Sequence, residues 1–153
     1  LNREIVIFDT NIYVNHYLGY RPLQDLFDQV IDSGKEIHMP SIIAMELMWY
    51  HEVETNEEIR AARQGYIEAA DGIISTTIDI ALKAAEIRRK WNIETGKKLK
   101  HGDALIAASA IFHNATLYSN NDRDFDYIKK NFKLEYINPI DAAGLEAFKK
   151  SIS

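Results

Sequence analysis

The chain has 153 residues, a net charge of −5 and no cysteine. A 46% hydrophobic and 27% charged composition is that of a globular chain, and the length fits one domain over 1–153, so disordered and collagen-like classes are excluded. Lack of cysteine removes disulfides, thiolate metal sites and a cysteine nucleophile, and fits a reducing cytoplasm. No apolar run nears the roughly 20 residues of a membrane span. Leu1 to Phe8 carries Arg3-Glu4 and no small-residue cleavage site, so it does not read as a signal peptide. The acidic balance by itself argues against a nucleic-acid partner held by bulk charge.

Ile5-Val6-Ile7-Phe8 is a continuous β-branched and aromatic run, the pattern of a strand covered on both faces. Tyr13 and Tyr17 then fall at helical spacing. Leu23, Leu26, Phe27, Val30 and Ile31 repeat that spacing between Pro22, suited to a first helical turn, and Gly34, suited to a helix end. Glu36 to Met39 predicts a second strand. Ser41 predicts the cap of a helix to Val53, and another helix spans Glu57 to Ala70. Gly72 to Ile78 carries a weak strand pattern. Asp79 suits the cap of a helix through Trp91, and Asn92 to Gly102 reads as a polar, basic loop. Asp103 predicts the cap of a helix to His113, followed by a strand at Ala115 to Tyr118. A short helix at Phe125 to Asn131, a strand at Leu134 to Ile137 and a helix at Pro139 to Lys150 complete the chain. This alternation predicts an α/β fold with a largely parallel central sheet flanked by helices. In such sheets ligands bind beyond the carboxyl ends of the strands.

Acids interrupt the apolar pattern at those ends. Asp9 follows the first strand directly, where it or Asn11 also suits a helix cap. Glu46 shares a helix face with Ile42, Ile43, Trp49 and Tyr50. Unpaired, its carboxylate is costly to bury there, so it needs a cation, a proton or water. Asp103 opens the run Ala104 to Ala110, and Asp122 and Asp124 follow the strand that ends at Tyr118. Each acid alone fits a cap, a turn or a helix boundary. Together they carry a further implication. Two carboxylates about 4 Å apart repel by roughly 4 kcal/mol at an effective dielectric near 20. Converging acids therefore take up protons or recruit a divalent cation, and oxygen donors without cysteine select Mg²⁺ or Mn²⁺. Such a centre suits water activation and phosphodiester hydrolysis.

The blocks Ile-Val-Ile-Phe-Asp9-Thr10-Asn11, Glu46 in a helix, Asp103-Ala-Leu-Ile-Ala-Ala-Ser-Ala and Ser119-Asn-Asn-Asp122-Arg-Asp124-Phe125, in this order, resemble a PIN-domain ribonuclease. Within that group they look like the VapC-like toxins of toxin–antitoxin pairs. The resemblance covers nearly the whole chain. It implies a PIN-like parallel sheet, a Mg²⁺- or Mn²⁺-dependent endoribonuclease, an RNA substrate, a small antitoxin across the active-site groove and a homodimer. By position, Asp9, Glu46 and Asp103 match the family's first three acids. Ser119 or Asn120 stands where the family has Thr. Asp122 and Asp124 compete for the fourth acid, with Asp122 expected nearer the metal and Asp124 as a supporting or second-metal acid. Thr10 and Asn11 are expected to orient the first carboxylate, and Ser119 the last loop.

Charge is unevenly spread along the chain. Lys83 to His101 holds seven Lys or Arg against two Glu, and Gln24 to Glu58 holds nine acids against Lys35. A basic lip running into an acidic pocket suits phosphates, with Lys97, Lys98 and Lys100 as candidate RNA contacts. Arg88 to Lys90 also suits a helix end that complements the macrodipole. Tyr13, Tyr17, Tyr20, Trp49 and Tyr50 suit either an interface or the core. An RNA-processing PIN protein is one alternative. A haloacid-dehalogenase-like phosphatase is a weaker one, because it needs a second Asp where Asn11 stands. Without the five candidate site acids, the remaining acids equal the 18 Lys plus Arg.

Overall fold

The run Ile5–Phe8 forms β1, the middle strand of a five-stranded sheet, in the computed structural model, which describes residues 3–153. Val6, Ile7 and Phe8 are almost fully buried, as a strand covered on both faces requires. β2 (Glu36–Pro40) and β3 (Gly72–Ile74) lie on one side, and β4 (Thr116–Tyr118) and β5 (Glu135–Ile137) on the other. The order is β3-β2-β1-β4-β5, with every pair parallel. The chain moves outward from β1 on one side and resumes at β4 on the other. That switch point is where open parallel sheets form ligand crevices. Phe8 pairs with Tyr118, so Asp9 and Ser119 leave the sheet side by side.

The helices are α1 (Thr10–Tyr17), α2 (Arg21–Asp32), α3 (Ser41–Met48), α4 (His51–Thr55), α5 (Glu57–Ala69), α6 (Ile78–Thr95), α7 (His101–Phe112), α8 (Asp122–Asn131) and α9 (Ala142–Ile152). Several depart from the sequence expectation. The helix expected over Ser41 to Val53 breaks after Met48, and Trp49 and Tyr50 occupy the break. Arg63 Nη1 donates to the Leu47 carbonyl at 2.7 Å, filling an acceptor that a continuing helix would use. Thr77, not Asp79, caps α6, which runs on to Thr95 and ends at Gly96 in the left-handed region (φ 71°). Asn92 to Thr95, four of the eleven residues of the expected basic loop, are therefore helix. α7 starts at His101, which places Asp103 inside its first turn rather than at the cap. α8 starts at Asp122, three residues before the expected Phe125.

The core runs through both faces of the sheet. Phe8 stacks on Phe27 with ring centres 4.4 Å apart, and Tyr13 meets Phe8 edge-on. Tyr13 and Tyr20 thus belong to the core, whereas Trp49 and Tyr50 are exposed. Ala104, Ala107, Ala108 and Ala110 are fully buried where α7 packs against α3, α6, α8 and β4. Small side chains let those backbones approach closely. Among the described residues no helix is long and apolar enough to cross a membrane. Ala107→Leu is expected to lower stability by about 1–3 kcal/mol in urea unfolding, because the extra methylenes have no room. Phe112→Ala, at a 52% exposed position on the same helix, should stay within about 0.5 kcal/mol.

Candidate active site

Asp9 leaves the end of β1 and caps α1, its Oδ1 accepting from the Thr10 N–H at 2.8 Å. Oδ2 accepts from the Ser119 hydroxyl at 2.7 Å and from the Asn11 amide at 3.1 Å. One carboxylate therefore both caps α1 and lines the cleft. Burial pushes its pKa up, and the bonds from Ser119, Thr10 and Asn11 pull it back. Ser119 Oγ also accepts from Asn11 Nδ2 at 3.0 Å and from the Asn121 N–H at 3.1 Å, so its one proton and two lone pairs are all in use. Asn11 Oδ1 accepts from the Asn120 N–H at 3.1 Å and ties α1 to the loop after β4.

Glu46 reaches the same place from α3. Its Oε1 accepts from the Thr10 hydroxyl at 2.7 Å. Burial raises its pKa and the Asp9 charge adds to that, while the Thr10 bond and Lys100 oppose it. Asp103 comes from the first turn of α7, and its pKa is raised to about 7. Burial is the main cause, followed by its contact with Asp124 and by the charges of Asp9, Asp124 and Glu46. Asn121 Nδ2 stands between the last two acids, 3.0 Å from Asp124 Oδ2 and 3.4 Å from Asp103 Oδ2. Gly102 leaves room for Glu46, since a Cβ there would stand 3.1 Å from Glu46 Oε2, a tight contact. Asp9, Glu46, Asp103, Thr10, Asn11 and Asn121 line one cleft of about 520 Å³, with Lys100 and Lys149 also on its walls.

Asp122 does not join them. Tyr136 OH stands 2.7 Å from its Oδ1 and Asn138 Nδ2 donates to its Oδ2 at 3.1 Å, so it faces β5 and an adjoining cavity. The reason is helical geometry. Once α8 begins at Asp122, residues 122 and 124 point to different sides of it. Phe125 is fully buried and sets the rotation of the helix. Asp124 thus lies beside Asp103, whereas Asp122, expected nearer the metal, is turned away from the cleft acids. Of the three candidate lysines only Lys100 lines the cleft. Lys98 lies in a separate groove with Arg88, Arg89 and His101, and Lys97 is exposed on the turn after α6. Asn121, Lys149 and Gly102 were not anticipated from the sequence. Asn121 lay inside the right block, while Lys149 comes from α9, far along the chain.

The PIN domain family model matches residues 6–131. The chain belongs to the PIN-domain family. The match runs from β1 to the end of α8 and so takes in Asp9, Glu46, Asp103 and Asp124. Among solved structures, the fold is similar to VapBC2 from Rickettsia felis bound to a promoter DNA fragment, with TM-score 0.72 and 24% identity, covering 88% of this chain and 98% of that one. DNA-bound VapBC from Salmonella typhimurium gives TM-score 0.71 and 19% identity, covering 91% and 100%. VapBC-1 from nontypeable Haemophilus influenzae gives 0.70 and 21%, covering 88% and 98%. At these identities the likeness is one of fold. None of the curated proteins matches the sequence.

In this PIN domain, Asn11 donates to Asp9, and an amide is not a general acid for a leaving group, so the phosphatase alternative is not favoured. Among the described residues no three His, Asp or Glu side chains form a ready-made metal cage. The donor chemistry of the cleft nonetheless fits a hard cation. Its walls carry carboxylate, hydroxyl and amide oxygens and neither sulfur nor imidazole. Burial raises the pKa of Asp9, Glu46 and Asp103, and at Glu46 and Asp103 the charges of neighbouring acids add to it, so a divalent ion would be favoured there.

Two outcomes are expected. Asp103, raised from 3.8 to about 7, holds a proton in the fold that the unfolded chain releases. Its stabilising effect is complete below about pH 4 and lost as pH rises through 7, and Glu46 and Asp9 act in the same direction. In EDTA the melting temperature should fall between pH 5 and 8, and Asp103→Asn should flatten that fall. Ser119→Ala leaves Asp9, Asn11 and the Asn121 N–H short of a partner and should cost about 1–3 kcal/mol in denaturant unfolding.

Proposed function

We propose that this PIN domain is a Mg²⁺- or Mn²⁺-dependent endoribonuclease that hydrolyses RNA phosphodiesters, the toxin of a toxin–antitoxin pair. The observation that carries the reading is the meeting of Asp9, Glu46 and Asp103, from three separate elements, in one cleft at the carboxyl end of the central strand. Asp9, Glu46 and Asp103, with Asp124 behind Asp103, are the residues that would hold the cation. When bound, such a cation lowers the pKa of water and offsets charge on the phosphate. The neutral residues keep the carboxylates in place. Ser119 and Asn11 hold Asp9, Thr10 holds Glu46, and Asn121 spans Asp103 and Asp124. Lys100 and Lys149 supply positive charge for a phosphate at the same cleft.

The toxin reading draws support from the neighbours of this fold, which are VapBC complexes and toxin–antitoxin assemblies. A small antitoxin partner, a homodimer and a cytoplasmic location belong to the same proposal. An RNA-processing role is not favoured by those neighbours.

With Mg²⁺ or Mn²⁺, purified protein should cut RNA, and EDTA should stop it. Asp9→Asn and Asp103→Asn should reduce cleavage to background while circular dichroism stays unchanged. Asp124→Asn should cost roughly 10- to 100-fold, the range for a group supporting a metal ligand, and Asp122→Asn should leave the rate within about threefold. Equal losses at Asp122 and Asp124 would sink the assignment of the fourth acid. Toxicity on expression, relieved by co-expressing a small protein from an adjacent gene, is expected for the toxin role, and the absence of toxicity counts against it.

A further inference from the structure

Trp49 is 68% exposed and Tyr50 41% exposed, and both line the cleft that holds Asp9, Glu46 and Asp103. Large apolar surface left in water at a polar cleft is not explained by the stability of the chain alone. Nor is the pair loose. It fills the break between α3 and α4, and Arg63 fixes that break from α5. Its Nη1 holds the Leu47 carbonyl at 2.7 Å, and its guanidinium carbon lies 5.1 Å from the centre of the Tyr50 ring. The Trp49 and Tyr50 rings are 5.1 Å apart and inclined by 41°.

We propose that Trp49, backed by Tyr50, is a stacking platform for an unpaired base of single-stranded RNA next to the phosphate to be cut. The inference rests on the ribonuclease reading above. Acids in the cleft repel the phosphates of a substrate, and Lys100 and Lys149 offset only part of that charge. A base face adds affinity without charge, so it works beside carboxylates where electrostatics cannot. Stacking accepts every base but only an unpaired one, so this wall selects single strands and loops over duplex.

The second tryptophan, Trp91, is buried, so Trp91→Phe leaves Trp49 as the one indole reporter. The titration uses Ca²⁺ in place of the catalytic ion, so that RNA binds without being cut. A single-stranded RNA oligonucleotide should quench Trp49 fluorescence. A duplex of the same length and an abasic strand with the same phosphates should not. In the otherwise unaltered chain, Trp49→Ala should weaken binding of a dye-labelled single strand by roughly 5- to 150-fold, and Trp49→Phe should restore most of it. Equal quenching by the abasic strand, or unchanged affinity in Trp49→Ala, overturns the proposal. Loss of a protein partner in Trp49→Ala with RNA affinity intact assigns the pair to protein docking and overturns it as well. Cleavage by the unaltered chain is measured on the same preparation. Cutting without any base-dependent effect overturns the platform alone, and no cutting with Mg²⁺ or Mn²⁺ overturns both.

Discussion

The hydrogen bond from Ser119 to Asp9 joins the two halves of the molecule at the point where its charge is most confined. Asp9 ends β1 and Ser119 ends β4, and the pairing of Phe8 with Tyr118 sets the two side by side. An isolated buried carboxylate is costly. Here three donors meet it, two from the next two residues and one from 110 positions along the chain. The same hydroxyl accepts from Asn11 and from the Asn121 N–H, so the start of α1 and the approach to α8 are fixed by one oxygen.

Neutral residues elsewhere in the cleft do similar work. Thr10 fastens Glu46, Asn121 spans Asp103 and Asp124, and Gly102 lets α7 come close to Glu46. Their effect is to hold together carboxylates that would otherwise separate. Burial raises the pKa of Asp9, Glu46 and Asp103, and the charges of neighbouring acids add to that at Glu46 and Asp103. The net charge of −5 first argued against a nucleic-acid partner, yet it says little about this cleft, where Asp9, Glu46 and Asp103 share the walls with Lys100 and Lys149.

Two small departures from regular helix have large consequences. α8 begins three residues earlier than hydrophobic spacing suggested, and that alone decides which of Asp122 and Asp124 meets Asp103. Their sequence spacing is the same in a loop and in a helix, but only the helix turns them apart. The break after Met48 likewise places Trp49 and Tyr50 at the cleft, when a continuous helix was expected. The Leu47 carbonyl that the break frees is taken by Arg63, on another helix, a partner that no local pattern around residue 49 reveals.

Much of this protein was legible in the order of its residues. The alternation of strands and helices, the buried central strand and the acids Asp9, Glu46 and Asp103 were visible because each rests on a local signal. Those signals are a hydrophobic period, a β-branched run, or a charge set in an apolar frame. The register of β1 with β4, the placing of Asp124 rather than Asp122 beside Asp103, the bridge made by Asn121 and the presence of Lys149 at the cleft were decided only in three dimensions. Each depends on how one element is rotated or seated against another, and that is settled by packing of the whole core rather than by any neighbouring residue.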